Sequence, residues 1–457
     1  MQSSNIKDFT RGNITRQLIV FSLPLFLSNL LQVLYNTVDM AVVGNVCGKV
    51  GLSAVSVGGD VSAFLTFVAM GFSNAGQVII AQYIGAGQKN KLGKFVGTMS
   101  SFLLVCSAFI SVIALVFQNG LLRLMNTPES AFSGAAEYSA VCMVGLVFIY
   151  GYNVVSAIMR GMGDSKHPFI FISIAAVINI VLDLVFVAGL GMGPFGAGLA
   201  TVISQGVSFL LCAVFIYKNR EKFGLDLVFR DFLIWNRTML ADLVKLGTPM
   251  AIKTASIQIS KLFVNSFINS YSLEVSAFSG IANKLSSISN LVSAAMNTAG
   301  STMVGQNIAA HEFGRVKKIL ANLAVITLSV ATVISVLICI FPTQIFGLFT
   351  TDADTSVLEF AHGYVPIAVL LFFGSAMRAI MNALLNGSGN YRINFATAIL
   401  DGIVMRIGLA VLFGIALNMK HTGFWLGDAI AGFTPFFIGL VFYLTGNWKK
   451  GANKKRL

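Results

Sequence analysis

Residues 169–188 read "FIFISIAAVINIVLDLVFVA", twenty residues with only Ser173, Asn179 and Asp183 polar and no basic side chain. A run of about 20 apolar residues is the length of an α-helix that crosses the hydrocarbon layer of a bilayer. It shows no two-residue alternation, so a membrane β-barrel is set aside. This stretch therefore predicts a spanning helix, and it leaves a question behind. A carboxylate at the centre of such a helix costs about 2.5–3.5 kcal/mol on insertion scales, and such residues are functional candidates by default.

The rest of the chain repeats the pattern. It has 457 residues, 56% hydrophobic and 11% charged, with a mean hydropathy of +0.81. Those values lie outside the range of a water-soluble domain. Spanning helices are predicted over 18–43, 52–83, 95–117, 136–159, 169–188, 197–217, 246–268, 275–308, 319–341, 361–385, 393–416 and 424–445. The first run is too long for the core of a signal peptide and lacks a small-residue cleavage pattern. The 44 glycines are spread through the apolar runs, which suits close helix contacts in lipid. The fold class expected is all-α: an integral membrane protein of twelve transmembrane helices.

A net charge of +13 invites a nucleic-acid reading, but the distribution points elsewhere. Lys7, Arg11 and Arg16 lead the chain, and Lys89, Lys91 and Lys94 follow the second span. Further groups are Lys218, Arg220, Lys222, Arg230 and Arg237, then Arg315, Lys317 and Lys318. The tail closes with Lys449, Lys450, Lys454, Lys455 and Arg456. The alternate loops hold only Lys49, Arg123 and Lys420, with acidic Asp352 and Asp354. By the positive-inside rule both termini lie in the cytoplasm, and no nucleic-acid partner is expected. Five scattered cysteines without CxxC spacing imply neither a disulfide framework nor a metal site.

The chain also repeats itself. "AQYIGAGQKNKLGK" (81–94) aligns with "GQNIAAHEFGRVKK" (305–318), pairing Gln82 with Gln306 at an offset of 224. "AIMRGMGDSKHPF" (157–169) aligns with "ALLNGSGNYRINF" (383–395), pairing Gly161 with Gly387 and Gly163 with Gly389 at 226. Pro24 and Pro249 differ by 225. Each half holds an even number of spans, so both insert with the same orientation, a recurring plan of secondary transporters. The expected division is a six-helix lobe over 1–217, a cytoplasmic linker over 218–240 and a second six-helix lobe with a basic tail over 241–457.

Charged and polar residues inside the spans carry the chemistry. Asn29, Gln32, Asn36 and Asp39 recur at helical spacing on the first helix. Asn179 and Asp183 lie one turn apart on the fifth, as do Thr201 and Gln205 on the sixth. Two carboxylates, a carboxamide and a hydroxyl offer hard oxygen donors, which suit a small cation such as Na+ and equally a proton. Asp60 is a possible third carboxylate. The second half is basic instead, with Lys253 and Lys261 on its first span, Lys284 on its second, and Arg378 and Arg406 later. These either pair with Asp401 and Asp428 or meet acidic groups on a substrate. "GMGPFG" (191–196) satisfies a dinucleotide pattern literally but has no strand before it. No ATPase signature, nucleophile or cofactor motif is evident, so no enzyme is expected and no cofactor beyond a coupling ion.

"LPLFLSNLLQVLYNTVDMAVVG" in the first helix, "AQYIGAGQ", "RGMGDSKHP" and "GAGLATVISQ" together resemble the multidrug and toxic compound extrusion (MATE) family, particularly its bacterial MepA and DinF groups. The resemblance covers essentially the whole chain. It implies two pseudo-symmetric six-helix lobes around a central cavity and antiport of amphipathic, often cationic, drugs against H+ or Na+. It also implies a cation site of Asp, Asn, Asp and Thr, matched here by Asp39, Asn179, Asp183 and Thr201. Some members use acidic residues on the seventh and tenth helices, where this sequence has lysines and Arg378, so the first lobe is the expected coupling site. Gln32, Asn36, Lys253 and Lys261 are the expected cavity residues, and Pro24 the hinge, because proline frees backbone groups and lets a helix bend. The expected setting is the bacterial cell membrane, with amphipathic drugs or dyes as cargo and a monomer as the working unit. The alternative is a flippase for a lipid-linked precursor or phospholipid, with Lys253 and Lys261 on its phosphate.

Overall fold

The computed structural model describes residues 6–227, 229–233, 235–348 and 355–453. Asp352, Asp354, Lys454, Lys455 and Arg456 lie outside them. Among the described residues there is no strand, as lipid requires: without water, each backbone N–H and C=O needs a partner inside its own segment.

Twelve spanning helices follow one another. The first two, α1 (14–47) and α2 (49–85), are the arms of the continuous stretch Ile14–Gly85, broken at Gly48 with φ 65° and ψ −163°. Next come α3 (Lys89–Val116) and α4, made of Glu129–Val144 and Leu146–Gly161 bent by 49°. The first half ends with α5 (Lys166–Gly189) and α6 (Gly193–Lys218). The second runs through α7 (Arg237–Asn269), α8 (Leu273–Ala309), α9 (Phe313–Ile340), α10 (Thr355–Gly387), α11 (Tyr391–Ala416) and α12 (Lys420–Leu444). Eight continuous helices are apolar enough to cross a membrane unaided. Lysines, serines and asparagines dilute α7 and α8, yet these run 33 and 37 residues.

Two compact units emerge, Met1–Asp8 with Leu23–Gly247, and Phe9–Ser22 with Thr248–Leu457. This division departs from boundaries at 217 and 241 for two local reasons. The segment 218–240 packs on α3: a Cβ on Gly93 would sit 2.2 Å from the Asp226 carbonyl oxygen, and Trp235 Nε1 donates to Ser101 Oγ at 2.9 Å. Residues 9–22 are fastened inside the second unit by Arg315. Its guanidinium donates to the carbonyls of Phe9, Arg11 and Gly12 at 2.9–3.0 Å and to Gln17 Oε1 at 3.0 Å. The Phe9 N–H donates to Gln306 Oε1 at 2.9 Å.

The repeat is visible in each unit separately. In the first, a Cβ on Gly161 would lie 2.9 Å from the Gln77 carbonyl oxygen; in the second, one on Gly387 would lie 2.8 Å from that of Ser301. Only glycine lets these helices approach so closely. Two residues on, Gly163 and Gly389 turn the chain at φ 87° and 65°, conformations costly for any side chain.

Candidate functional site

The face that α5 presents is set by its sequence. Ile174, Val177, Val181 and Leu184 are exposed and left for lipid, while Ile172, Ala175, Ala176, Asn179 and Asp183 are buried. Asp183 is 0% and Asn179 1% exposed. Directly after Asp183 the helix widens into a π-turn over Leu184–Gly189, a distortion that recurs at functional sites.

Asp39 comes from α1 and is 4% exposed. Asp39 and Asp183 lie within electrostatic reach of each other, as do Asp39 and Tyr35, Tyr138 and Cys142. Thr201 on α6 is half-buried beside Tyr138. Gln205, one turn on, donates from Nε2 to the Tyr35 hydroxyl at 3.3 Å, linking α6 to α1. An apolar layer of Val43, Val55, Tyr138, Cys142, Val187 and Ala197, drawn from five helices, packs nearby. On Asp39, Asn179 and Asp183 five buried polar atoms have no hydrogen-bond partner: Asp39 Oδ1, both side-chain atoms of Asn179 and both oxygens of Asp183. Buried polar atoms are nearly always paired, so five orphans on three side chains call for an explanation.

The remaining expected residues scatter. Gln32 and Asn29 are half-buried and Asn36 exposed, so the polar stripe of α1 does not share one environment. Asp60 is exposed, unlike the buried Asp39 and Asp183. The helix continues through Pro24 with no break there, and the Ser28 hydroxyl donates to the Pro24 carbonyl at 2.8 Å. Tyr35, Tyr138 and Cys142 were not singled out in the sequence. Tyr35 stands one turn before Asp39, and Tyr138 one turn before Cys142, but aromatics at that spacing usually signal packing.

In the second unit, Asp401 is fully buried, with its Oδ1 3.6 Å from Arg378 Nη2 and 3.5 Å from Arg406 Nη2. Arg406 Nη1 is ion-paired with Asp428. Lys253 Nζ donates to Asn382 Oδ1 at 2.5 Å, an amide rather than either carboxylate. Lys284 is exposed. Helices α6 and α12 begin 227 residues apart. At that offset Asn179 corresponds to Arg406, and Thr201 to Asp428. The second unit thus carries an ion pair where the first carries an amide and a hydroxyl.

Comparison with known proteins agrees with this duplicated architecture. The sequence model of the MatE family matches residues 24–185 and again residues 249–412, once in each half. The chain is 29% identical over 449 residues to the probable multidrug resistance protein YoeA of Bacillus subtilis, covering 96% of both chains. It is 22% identical over 416 residues to the multidrug export protein MepA of Staphylococcus aureus, covering 90% of both. Among solved structures, a MOP superfamily transporter from Pyrococcus furiosus, described as having a binding pocket of reverse polarity, matches with a TM-score of 0.90 at 23% identity, over 99% of each chain. Two family matches in tandem, on a chain of twelve membrane-spanning helices, settle the assignment: this protein belongs to the MatE family.

Proposed function

We propose that the chain exports amphipathic, often cationic, organic compounds in exchange for H+ or Na+, and that Asp39, Asn179, Asp183 and Thr201 receive the coupling ion. Multidrug relatives support the class of cargo. The observation that carries the coupling site is the cluster of five orphaned polar atoms on Asp39, Asn179 and Asp183. Two adjacent carboxylates cut off from water are expensive when both are charged. A proton removes one charge; a small cation held by the same oxygens neutralises it. Either step changes the local charge by one unit, which is what a coupling event requires.

Under this reading an entering ion and a bound drug disfavour each other, with α1 as the moving part and Pro24 the place where it bends, since the Pro24 nitrogen cannot bond the carbonyl of Val20. An incoming monovalent cation gains about 2.3 kcal/mol per 100 mV, and one-for-one exchange with a monocationic drug cancels that gain, leaving the concentration gradient. The cytoplasmic face is the one bearing both termini and the basic loops, and one chain suffices as a monomer.

The test is efflux of a cationic dye such as ethidium from proteoliposomes under ΔpH and ΔNa+ imposed separately. One gradient is expected to drive export, and Asp39→Asn and Asp183→Asn to abolish it while inserting normally. Wild-type efflux in both variants would remove the proposed site.

A further inference from the structure

The second unit contains a cavity whose wall is charged. Lys261, Arg378, Arg406 and Asp428 line it, with Trp425 and Tyr364 on its apolar side. Three cations face one carboxylate there. The layer behind does not redress the balance, because it adds Lys253 as well as Asp401. At membrane depth charges pair with one another, so a surplus of two positive charges calls for an anion.

The two arginines share only two carboxylates, and part of the donor set is left for such a ligand. Arg406 is 1% exposed; Nη1 is held by Asp428 and Nη2 lies 3.5 Å from Asp401 Oδ1, which leaves Nε without a hydrogen-bond partner. Lys261 makes no ion pair within 4 Å among the described residues; its nearest carboxylates act on it only at longer range. Arg378 Nη2 lies 3.6 Å from Asp401 Oδ1, and its Nε reaches a backbone carbonyl, that of Gly432, at a long 3.4 Å. Two guanidinium forks and an ammonium around one space match the geometry of a phosphate or carboxylate group. Beside them the Trp425 and Tyr364 rings, 5.2 Å apart and edge to face, offer a wall for an apolar body. Trp425 Nε1 is turned away to Ser279 Oγ at 3.3 Å, which leaves the wall to its carbon atoms.

We propose that this cavity binds the anionic group, phosphate or carboxylate, of an amphipathic molecule, with Lys261, Arg378 and Arg406 as its donors. The site goes beyond the proposed cation-coupled export: it lies in the other unit and selects the opposite charge. The ligand arrives either as a free amphiphile from water or as a lipid headgroup.

The test is equilibrium binding to the full-length protein in nanodiscs of phosphatidylcholine, which needs no ion gradient. A failure of coupling at Asp39 and Asp183 therefore leaves its outcome untouched. Two probes are used, 4-methylumbelliferyl phosphate for the soluble source and NBD-labelled phosphatidic acid for the lipid source. Saturable binding of at least one is expected, weakening as salt is raised, about tenfold weaker in Lys261→Gln and retained in Lys261→Arg, the scale of one hydrogen bond to a charged group. Arg378→Gln, expected to weaken binding likewise, serves if Lys261→Gln does not fold. Binding of the first probe alone assigns a free amphiphile, and of the second alone a lipid headgroup. Binding of neither, or wild-type affinity in the neutral variants, overturns the proposal.

Discussion

Arg406 is 1% exposed and stands between two carboxylates, and its worth follows from that position. Removing one partner of a buried pair strands the other, at about 3–5 kcal/mol. Arg406→Gln is therefore expected to lower the melting temperature in detergent sharply, and adding Asp428→Asn to recover part of the loss. A double variant no more stable than the single would show that the pair does not carry this energy. At this scale the sequence was partly legible. Asp39 and Asp183 stand out because a charge in an apolar run has few explanations, whereas the set of four with Asn179 and Thr201 is what the family resemblance implies. Asp39 and Asp183 are both buried and within electrostatic reach of each other, and Asn179 is buried one turn from Asp183. Lys253 was not legible in this way. Its partner is the amide of Asn382, 129 residues away, and nothing in local spacing announces so distant a neighbour.

Among elements, closeness is what the helices compete for. With lipid on the outer face there is no hydrophobic gain in pressing two apolar helices together, so contact depends on small residues. Gly161→Ala places a methyl 2.9 Å from the backbone oxygen of Gln77, and overpacking of this kind costs about 1–3 kcal/mol. A lower melting temperature is expected for Gly161→Ala, with no change for Gly59→Ala, whose added methyl has nothing within 4 Å; equal effects would remove the close-approach argument. The twelve spans could be read from hydropathy, and the repeat from glycine and proline landmarks. The 49° bend in α4 and the π-turn after Asp183 could not. No proline marks either place.

For the molecule as a whole, the first residues matter more than their position suggests. Phe9–Ser22 belongs to the second unit although the chain continues directly into the first. Arg315, which reads in the sequence as one more charge of a basic loop, holds that segment by four hydrogen bonds. Arg315→Ala is expected to speed amide hydrogen exchange across residues 9–17 well beyond any change in the loops between other helices; unchanged protection would show that Phe9 and its bonds to Gln306 and Asn307 suffice. Domain assignment by position along the chain misses this, because the clamp joins residues some 300 apart in sequence.

The corner at Gly48 bears on how such a chain can vary in length. Between α1 and α2 there is no loop, only one residue out of helical geometry. An ordinary connection absorbs an inserted residue by bulging; here there is no slack to do so. Each residue added to α1 between Asp39 and that corner swings the acid by about 100° around the helix axis, from the protein interior toward the lipid. The spacing from carboxylate to corner is in effect a ruler, and its length sets the aim of Asp39.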